Sequence, residues 1–279
     1  MITDNPVVKK LIELAIEEDI KDNDITTNLI ISKDDIKEAA FICKEEGIIC
    51  GLDVAKMVMQ KFDENITWTN IKNDGDVVLK SEKIAIVKGS YKALLSAERT
   101  ALNFLQRMSG IATKTNLFVK RLYGLNTRIL DTRKTVPGHR VLDKYAVKTG
   151  GGTNHRIGLF DMVLIKDNHI KLAGGVSNAI NAVLGKIPKD MKIEVEAATI
   201  DDVKEALNFK IDFIMLDNMS IDLMKEAVDL CKGKVLTEAS GNISLHNIRE
   251  VAETGVDFIS VGELTHSVDA LDISMKIIN

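Results

Sequence analysis

The sequence predicts an α/β protein in two parts, a small antiparallel-rich domain near the N-terminus and an open, incomplete (β/α) barrel after it. Between residues 36 and 95, short strand-like runs are separated only by Gly, Asp and Asn turns. Beyond Arg121, six short apolar runs alternate with helix-like stretches, which is the pattern of βα units. A chain of 279 residues has room for one large domain and a small one.

The first predicted element is a helix near the N-terminus. Asn5 is a suitable N-cap, and Pro6 suits the first helical position because its missing N–H would have no helical partner there. Apolar residues then recur with helical spacing, at Val8, Leu11, Ile12, Ala15 and Ile16.

The small domain is predicted from four strand-like pieces, AAFICKEEGIICGL, ITWTNI, DVVLK and KIAIVKGSY. A long helical pattern follows, for which Ser96 is the predicted N-cap, and it continues through Arg121.

The barrel is predicted from the runs RILDTRK, MVLIKD, KIEVEA, FIMLDN, VLTEAS and FISVGE. Their polar endings are separated by 35, 30, 21, 21 and 25 residues, as in successive βα units. Near-continuous apolar strands indicate a sheet covered on both faces, and the polar endings should meet at the carboxyl ends of the strands. Six units are fewer than eight, so we expect an incomplete barrel. The endings are Asp131, Lys166, Glu196, Asp217, Glu238 and Glu263.

Composition excludes several classes of protein. The formal charge of −4 and an aromatic content of 4% disfavour nucleic-acid binding. The N-terminus lacks signal-peptide order, and no apolar run approaches the roughly 20 residues of a membrane span. The spacing of Cys43, Cys50 and Cys231 matches no metal-binding motif, and we expect these residues to be reduced thiols. We therefore expect a cytoplasmic protein without nucleic-acid or membrane partners.

Local charge reverses sign between Asp131 and Lys171. This stretch holds eight Lys and Arg against four Asp, which gives +4 in an acidic chain and indicates a site for an anion. Any one of its cations could equally be a solvated surface charge. Lys166 ends an apolar strand, where an unpaired ammonium would be costly, and this favours a functional role. The candidates are Arg133, Lys134, His155, Arg156 and Lys166.

Two carboxylates also end predicted strands. Glu196 and Asp217 could bind sugar hydroxyls or hold Mg²⁺ through water, or they could be helix caps or salt-bridge partners. Glu194 shares a strand face with Glu196, so the choice between these two stays open.

Two loops rich in small residues follow the last two strands, Ala239–Asn242 and Ser260–Ser267. Exposed backbone N–H groups and a following helix N-terminus favour phosphate at this position in a barrel. Gly150, Gly151 and Gly152 could simply end a helix, and they form no P-loop because GK followed by Ser or Thr is absent. These residues predict a pocket for a phosphorylated, multiply anionic small molecule and do not name a reaction.

The segment DTRKTVPGHRVLDKYAVKTGGGTNHRIGLFDMVLIKDNH resembles the signature region of the quinolinate phosphoribosyltransferases. The resemblance continues in AERTALNFLQRMSGIAT, IEVEA, IMLDN, EASGN and TGVDFISVGELTHS, and it covers the chain from Asp24 onward. The sequence departs from the family pattern at Asn23, where glycine is common, and at Glu263, where alanine is more usual.

The resemblance implies an α/β sandwich of residues 1–105, completed by the tail at about 266–279, and an open barrel of residues 106–265. It also implies a homodimer in which the sandwich of one subunit caps the barrel of the other. The implied reaction joins quinolinate to 5-phosphoribosyl-1-pyrophosphate with Mg²⁺, giving nicotinate mononucleotide, pyrophosphate and CO₂ for de novo NAD synthesis.

The resemblance further implies roles for individual residues. Quinolinate carboxylates would be bound by Arg133, His155, Arg156 and Lys166, with Arg99 arriving from the neighbouring subunit. Lys134 and Thr132 would contact the substrates, with Lys134 at the pyrophosphate, and Glu196 and Asp217 would bind ribose hydroxyls and the Mg²⁺ region. The 5-phosphate would be bound by Ser240, Gly241, Asn242, Gly262 and His266.

Three other interpretations fit parts of the sequence. Lys166 could be the Schiff-base lysine of a class I aldolase. The cleft could belong to a non-catalytic sensor of a sugar phosphate. The chain could also belong to a sister branch of the same fold that is associated with molybdenum transport.

Overall fold

The computed structural model describes residues 2–32 and 35–278. In chain order its strands are β1 (Ile36–Cys43), β2 (Gly47–Ile48), β3 (Thr67–Asn70), β4 (Val77–Val78), β5 (Lys83–Ser90), β6 (Arg128–Leu130), β7 (Val163–Ile165), β8 (Ile193–Ala197), β9 (Phe213–Asp217), β10 (Leu236–Ser240), β11 (Phe258–Ser260) and β12 (Ile273–Ile277). Its α-helices are α1 (Pro6–Ile20), α2 (Ile25–Ile30), α3 (Leu52–Phe62), α4 (Tyr91–Arg121), α5 (Arg140–Thr149), α6 (Asp167–Ala173), α7 (Val176–Val183), α8 (Ile200–Ala206), α9 (Ile221–Cys231), α10 (Ile248–Ala252) and α11 (Glu263–His266).

The chain divides into two compact units. The first contains the described residues up to Asn116, the segment Thr135–Gly151 and the described residues from Leu264 onward; the second contains Leu117–Lys134 and Gly152–Glu263. This division differs from the expected boundaries at 105 and 265.

Contacts of α5 explain why that helix belongs to the first unit. The guanidinium of Arg107 on α4 forms an ion pair of 2.8 Å with the fully buried carboxylate of Asp143. The hydroxyl of Tyr145 donates a 3.0 Å hydrogen bond to Asp74. Because a buried carboxylate without its cation would be costly, the Arg107–Asp143 pair fixes α5 against α4.

The first unit contains an antiparallel sheet in the order β12-β1-β5-β3. The tail strand β12 pairs with β1, with Ala39 opposite Ile277 and Cys43 opposite Ile273. Helix α1 begins as the sequence predicts, since the Asn5 side chain accepts a hydrogen bond from the N–H of Val7.

Two helices of the first unit differ from the prediction. Helix α4 begins at Tyr91 rather than after Ser96, because the Ser90 hydroxyl accepts from the N–H of Ala93 and so starts the helix earlier. Ser96 lies inside the helix and its hydroxyl donates to Asp24. Helix α3 was not predicted, although it buries an apolar face that includes Leu52, Val54 and Val58.

The second unit is a six-stranded parallel sheet in the order β6-β11-β10-β9-β8-β7. All six predicted barrel strands are present. Within the described residues β6 and β7 do not pair, and next to β6 there is instead an isolated bridge between Leu130 and Thr153. The predicted fold class, a small α/β sandwich with an open, incomplete (β/α) barrel, is therefore confirmed.

Over residues 2–32 and 35–278, no helix has both the length and the apolar character needed to cross a bilayer. Cys43, Cys50 and Cys231 are buried free thiols.

Candidate active site

The second unit gathers most of the predicted site residues at one edge of its sheet. Because all six strands are parallel, the residues at or just beyond their carboxyl ends share that edge. In chain order, these residues are Thr132, Arg133, Lys134, Lys166, Glu196, Asp217, Ser240, Gly241, Asn242 and Gly262.

A short segment, Thr153–Arg156, carries two of the predicted cations, and we call it the strap. The fully buried Asp131 holds it, since its carboxylate accepts hydrogen bonds from Asn154 Nδ2 at 2.6 Å and from the N–H of His155 at 2.9 Å. The bridge between Leu130 and Thr153 ties the start of the strap to β6. Asp131 therefore has a structural role, because it positions the strap that carries His155 and Arg156.

Arg133 and Arg156 are half-buried and electrostatically close. Burial lowers the pKa of the Arg156 guanidinium, and the positive charge of Arg133 lowers it further. The Nη1 atom of Arg156 donates to the carbonyl of Met162 at 3.1 Å. The two guanidinium groups repel each other, and a bound dianion would offset this repulsion. Beside them, Thr132 Oγ1 accepts from the N–H of Lys134, which shapes the turn that leaves Lys134 exposed.

Lys166 is exposed, so the expectation that it ends a strand in a buried position was wrong. Strand β7 stops at Ile165, and Lys166 is the N-cap residue of α6, where solvent can reach its ammonium group. Burial raises the pKa of the half-buried Glu196, the charges of Asp217 and Asp167 raise it further, and Lys166 opposes them. Oxygen ligands concentrated in this way fit a hard cation such as Mg²⁺.

The two glutamates of β8 occupy different depths. Glu194 precedes Glu196 by two residues on the same face, so it lies about 6–7 Å further from the carboxyl edge. It is fully buried and contacts the strap, whereas Glu196 lies beside Asp217 and Lys166. The geometry thus resolves the open choice in favour of Glu196 at the edge of the sheet.

The ring of His155 points into the barrel interior. Its Nε2 lies 2.9 Å from Glu194 Oε2 and 3.3 Å from Glu238 Oε2, and in the neutral form of the ring its Nδ1 accepts from the N–H of Arg156 at 2.8 Å. Both ring nitrogens therefore contact protein groups. The role of His155 as a ligand of a substrate carboxylate stays a prediction.

Glu194, Glu238 and His155 strongly affect one another. Burial alone would lower the pKa of His155, but hydrogen bonds to the two glutamates and their charges outweigh it and raise the pKa to about 9. Burial raises the pKa of Glu194 to about 7, and the charge of Glu238 adds to this while His155 opposes it. Glu238 was not among the predicted site residues. Its signal was available, since it precedes Ser240 by two residues and so shares its strand face.

The loops after β9 and β10 are joined by an amide contact. Asn242 Nδ2 donates to Asn218 Oδ1 at 3.1 Å, and Asn218 Nδ2 donates to Asp217 at 2.9 Å. Asn218 and Asn242 both have positive φ, 54° and 51°, which asparagine tolerates better than most residues. A phosphate loop was expected to lead directly into a helix. After β10 this is not the case, because α10 begins only at Ile248.

Gly241 lies against the side chain of Asn218, so a larger residue there should lower stability. Its φ is +100°, and a Cβ atom there would collide with the side-chain amide of Asn218. We expect Gly241→Ala to lower the free energy of unfolding by about 2–4 kcal/mol, from left-handed strain plus the collision. Gly233→Ala is the matched control, since Gly233 has φ +74° with open space around its Cβ position, and only the strain should remain, about 1 kcal/mol. Denaturant unfolding measures both, and equal losses would contradict the collision.

Two predicted residues belong to the first unit. Arg99 is exposed on α4, and His266 is exposed at the end of α11 with its Nδ1 atom 2.7 Å from Ser267 Oγ. The second unit alone therefore lacks the predicted arginine from α4 and the predicted phosphate-binding histidine.

Comparisons with known proteins agree with this arrangement. The model of the quinolinate phosphoribosyl transferase N-terminal domain matches residues 24–109, and that of the C-terminal domain matches residues 111–276. Quinolinate phosphoribosyltransferase (decarboxylating) 1b of Nicotiana tabacum is 46% identical over 97% of this chain and 82% of its own length. A chloroplastic nicotinate-nucleotide pyrophosphorylase (carboxylating) of Arabidopsis thaliana is 45% identical over 97% and 82%.

A solved structure is also very similar. The nicotinate-nucleotide pyrophosphorylase of Francisella tularensis superposes with a TM-score of 0.94 at 44% identity, covering 98% of this chain and 96% of that one. Two family models in sequence, similar relatives along nearly the whole chain and a matching fold lead to one conclusion. The chain belongs to the quinolinate phosphoribosyltransferase family.

Proposed function

We propose that this chain is a pentosyltransferase that joins quinolinate to 5-phosphoribosyl-1-pyrophosphate and releases nicotinate mononucleotide, pyrophosphate and CO₂, a step of NAD biosynthesis. Family membership supports the reaction. The observation that carries the assignment of the site is the half-buried guanidinium pair of Arg133 and Arg156, whose mutual repulsion a dicarboxylate relieves.

Arg133 and Arg156 bind the carboxylates of quinolinate, and Lys166 adds a positive charge from the end of β7. Paired N–H donors hold a carboxylate in a fixed plane, so they aim the pyridine nitrogen at C1 of the ribose. The nitrogen already carries a lone pair, and its attack needs positioning more than a strong base. Once quaternised, it stabilises the electron pair left at C2 when the adjacent carboxylate departs as CO₂, and that carbon then takes up a proton from water to give nicotinate mononucleotide.

The phosphoribosyl donor is held at the other strands of the same edge. Lys134 contacts its pyrophosphate, Glu196 and Asp217 bind its ribose hydroxyls, and the loop Ser240–Asn242, with Gly262, binds its 5-phosphate. Glu196 and Asp217 would also hold Mg²⁺, and the ion would supply charge neutralisation for the leaving pyrophosphate.

The active form is a homodimer in which Arg99 enters the site of the neighbouring subunit. Exposed apolar side chains on each unit support self-association, for example Leu29 at 79% and Phe160 at 73% exposure.

We place the protein in the cytoplasm, because its three buried free cysteines suit a reducing compartment. The Arabidopsis relative is named chloroplastic.

One incubation tests the reaction. Purified protein with quinolinate, 5-phosphoribosyl-1-pyrophosphate and Mg²⁺ should release CO₂ and nicotinate mononucleotide in equal amounts, and omission of Mg²⁺ should abolish turnover. A sugar-phosphate sensor, or a protein of the molybdenum-associated branch, would bind without turnover. A class I aldolase would instead be trapped by borohydride on Lys166 with a carbonyl substrate.

A further inference from the structure

A chain of hydrogen-bonded asparagines runs from helix α10 to the proposed ribose-binding carboxylate. Asn247, the N-cap residue of α10, donates from Nδ2 to the carbonyl of Asn242 at 2.9 Å. Asn242 Nδ2 donates to Asn218 Oδ1 at 3.1 Å, and Asn218 Nδ2 donates to Asp217 Oδ2 at 2.9 Å. All four residues belong to the second unit. The loop after β10 is therefore linked to Asp217 through Asn218.

The carboxylate of Asp217 sets the direction of these hydrogen bonds. An ionised carboxylate only accepts, so Asn218 must turn its NH₂ group toward Asp217. The carbonyl oxygen of its side chain then faces Asn242, which in turn must present its own NH₂ group. Reversal of either amide would set like groups against each other. The contact between the two loops thus depends on the contact with Asp217.

Three positions in these loops accommodate the amides. Asn218 and Asn242 have φ of 54° and 51°, a region in which glycine is the least strained residue. Gly241 leaves the space that the Asn218 amide occupies, since a Cβ atom there would collide with it. Side chains are therefore present where glycine would be least strained, and glycine is present where a side chain would displace Asn218. This arrangement indicates that the Asn218 amide has a role of its own.

Holding the two strands together does not require that amide. Strands β9 and β10 already pair up to Asp217 and Ser240, which lie opposite each other. The backbone N–H of Asn218 also donates to the carbonyl of Ser240 at 2.9 Å. Backbone pairing does not fix the rotation of the Asp217 carboxylate, because the torsion that turns a carboxyl group has only a broad preference. The Asn218 amide supplies this missing constraint.

The surroundings of Asp217 make that rotation important. Burial raises the pKa of Glu196, and the charge of Asp217 raises it further, so the two carboxylates repel each other. The NH₂ group of Asn218 holds Oδ2 of Asp217 against this repulsion. With one oxygen held, the direction of the other oxygen is fixed as well.

We propose that Asn218 is a positioning residue that orients the carboxylate of Asp217 toward the ribose hydroxyls of the phosphoribosyl donor, and that Asn242 secures Asn218 from the phosphate loop. The loop that binds the 5-phosphate and the carboxylate that binds the ribose thereby form one hydrogen-bonded unit. This inference rests on the proposed roles of Asp217 and of the loop Ser240–Asn242 in binding that substrate.

Isothermal titration of the full chain tests the role of Asn218. Asn218→Gly removes the amide and suits the positive φ, so the variant should fold. We expect its dissociation constant for 5-phosphoribosyl-1-pyrophosphate with Mg²⁺ to rise roughly tenfold, as expected from loss of a hydrogen bond to a charged group. Its dissociation constant for quinolinate should change less than twofold. Equal weakening of both substrates would indicate general damage to the barrel and would overturn the proposal.

The matched control removes an asparagine amide from another part of the same unit. Asn208 is exposed at the end of α8, and its Nδ2 donates to the carbonyls of Lys204 and Glu205 at 3.2 Å. Asn208→Gly should leave both dissociation constants within about twofold of the unmodified protein. If it weakened binding of the phosphoribosyl donor as much as Asn218→Gly does, the effect would not be specific to Asn218 and the proposal would be wrong.

Double-mutant cycles separate positioning from direct contact. If Asn218 acts through Asp217, Asn218→Gly should weaken binding of the phosphoribosyl donor less than twofold further once Asp217→Ala is present. Asn242→Gly should likewise weaken it less than twofold further in the Asn218→Gly background. Full additivity in either cycle would overturn the positioning role and leave the proposed function intact. If Asp217→Ala alone left binding unchanged, the proposed role of Asp217 would itself be wrong, so the two failures are distinguished.

Stability measurements check the geometry without any substrate. A Cβ atom at Gly241 should collide with the Asn218 amide in the unmodified protein, but the collision should disappear in Asn218→Gly. In that background, Gly241→Ala should lose no more stability than Gly233→Ala does. If Gly241→Ala remained as costly as in the unmodified protein, the Asn218 amide would not lie against Gly241 and the proposal would be overturned.

Discussion

Replacing Arg133 with alanine should weaken quinolinate binding by about 2–5 kcal/mol, the usual loss when one partner of a desolvated charge pair is removed. Arg133 is half-buried near Arg156, so its charge is poorly screened and the substrate carboxylate would lose its partner in a partly dry site. Isothermal titration of the variant with quinolinate measures the loss directly.

The control for this prediction is Arg128, at the start of the strand that Arg133 follows. Arg128 is exposed at the start of β6, so Arg128→Ala removes an equal charge from a place far from the carboxyl edge of the sheet. Its dissociation constant for quinolinate should stay within about twofold of the unmodified protein, as expected for an exposed charge. If Arg133→Ala behaved the same way, Arg133 would not be a quinolinate ligand.

The barrel was predictable because its strands are short apolar runs closed by polar residues. Most of those closing residues mark the carboxyl edge, and the edge locates the site without any knowledge of packing. Glu238 is an exception, because it lies two residues before the end of β10 and is buried. Helix α3 was missed for the opposite reason, because it lies between strands in a segment dominated by strand-like patterns. Ser96 was mistaken for a cap because the earlier Ser90 belongs to the last residues of a strand and is less conspicuous.

Depth within the barrel was not predictable. Glu194 and Glu196 share a face and a residue type, and only the tertiary structure shows that one is sealed in the interior and the other lies at the edge. The contact of His155 with Glu194 and Glu238 was not predictable for the same reason, since sequence spacing cannot show which way a ring points. Lys166 was expected to be buried because it follows an apolar strand, but one residue beyond a strand end is enough to reach solvent.

The proposed site shared between two subunits makes the strongest prediction about assembly. Arg99→Ala and Arg133→Ala should each be almost inactive alone, since every site lacks one arginine. Mixed in equal amounts and allowed to exchange subunits, they should recover about one quarter of wild-type activity. Half of the dimers are then mixed, and one of the two sites in each mixed dimer has an unmodified barrel facing an unmodified Arg99.

A matched mixture shows whether any recovery comes from complementation. When Arg133→Ala is mixed with the double variant Arg99→Ala/Arg133→Ala, both barrels in every dimer lack Arg133, so no site is complete and activity should stay at background. Native mass spectrometry of subunits with different tags establishes that exchange has occurred. Because Arg99 is exposed on α4 of the first unit and Arg133 belongs to the second, recovery only in the first mixture would mean that the two arginines of one site come from different chains. Verified exchange without recovery would place both arginines of a site in the same chain or remove Arg99 from the site.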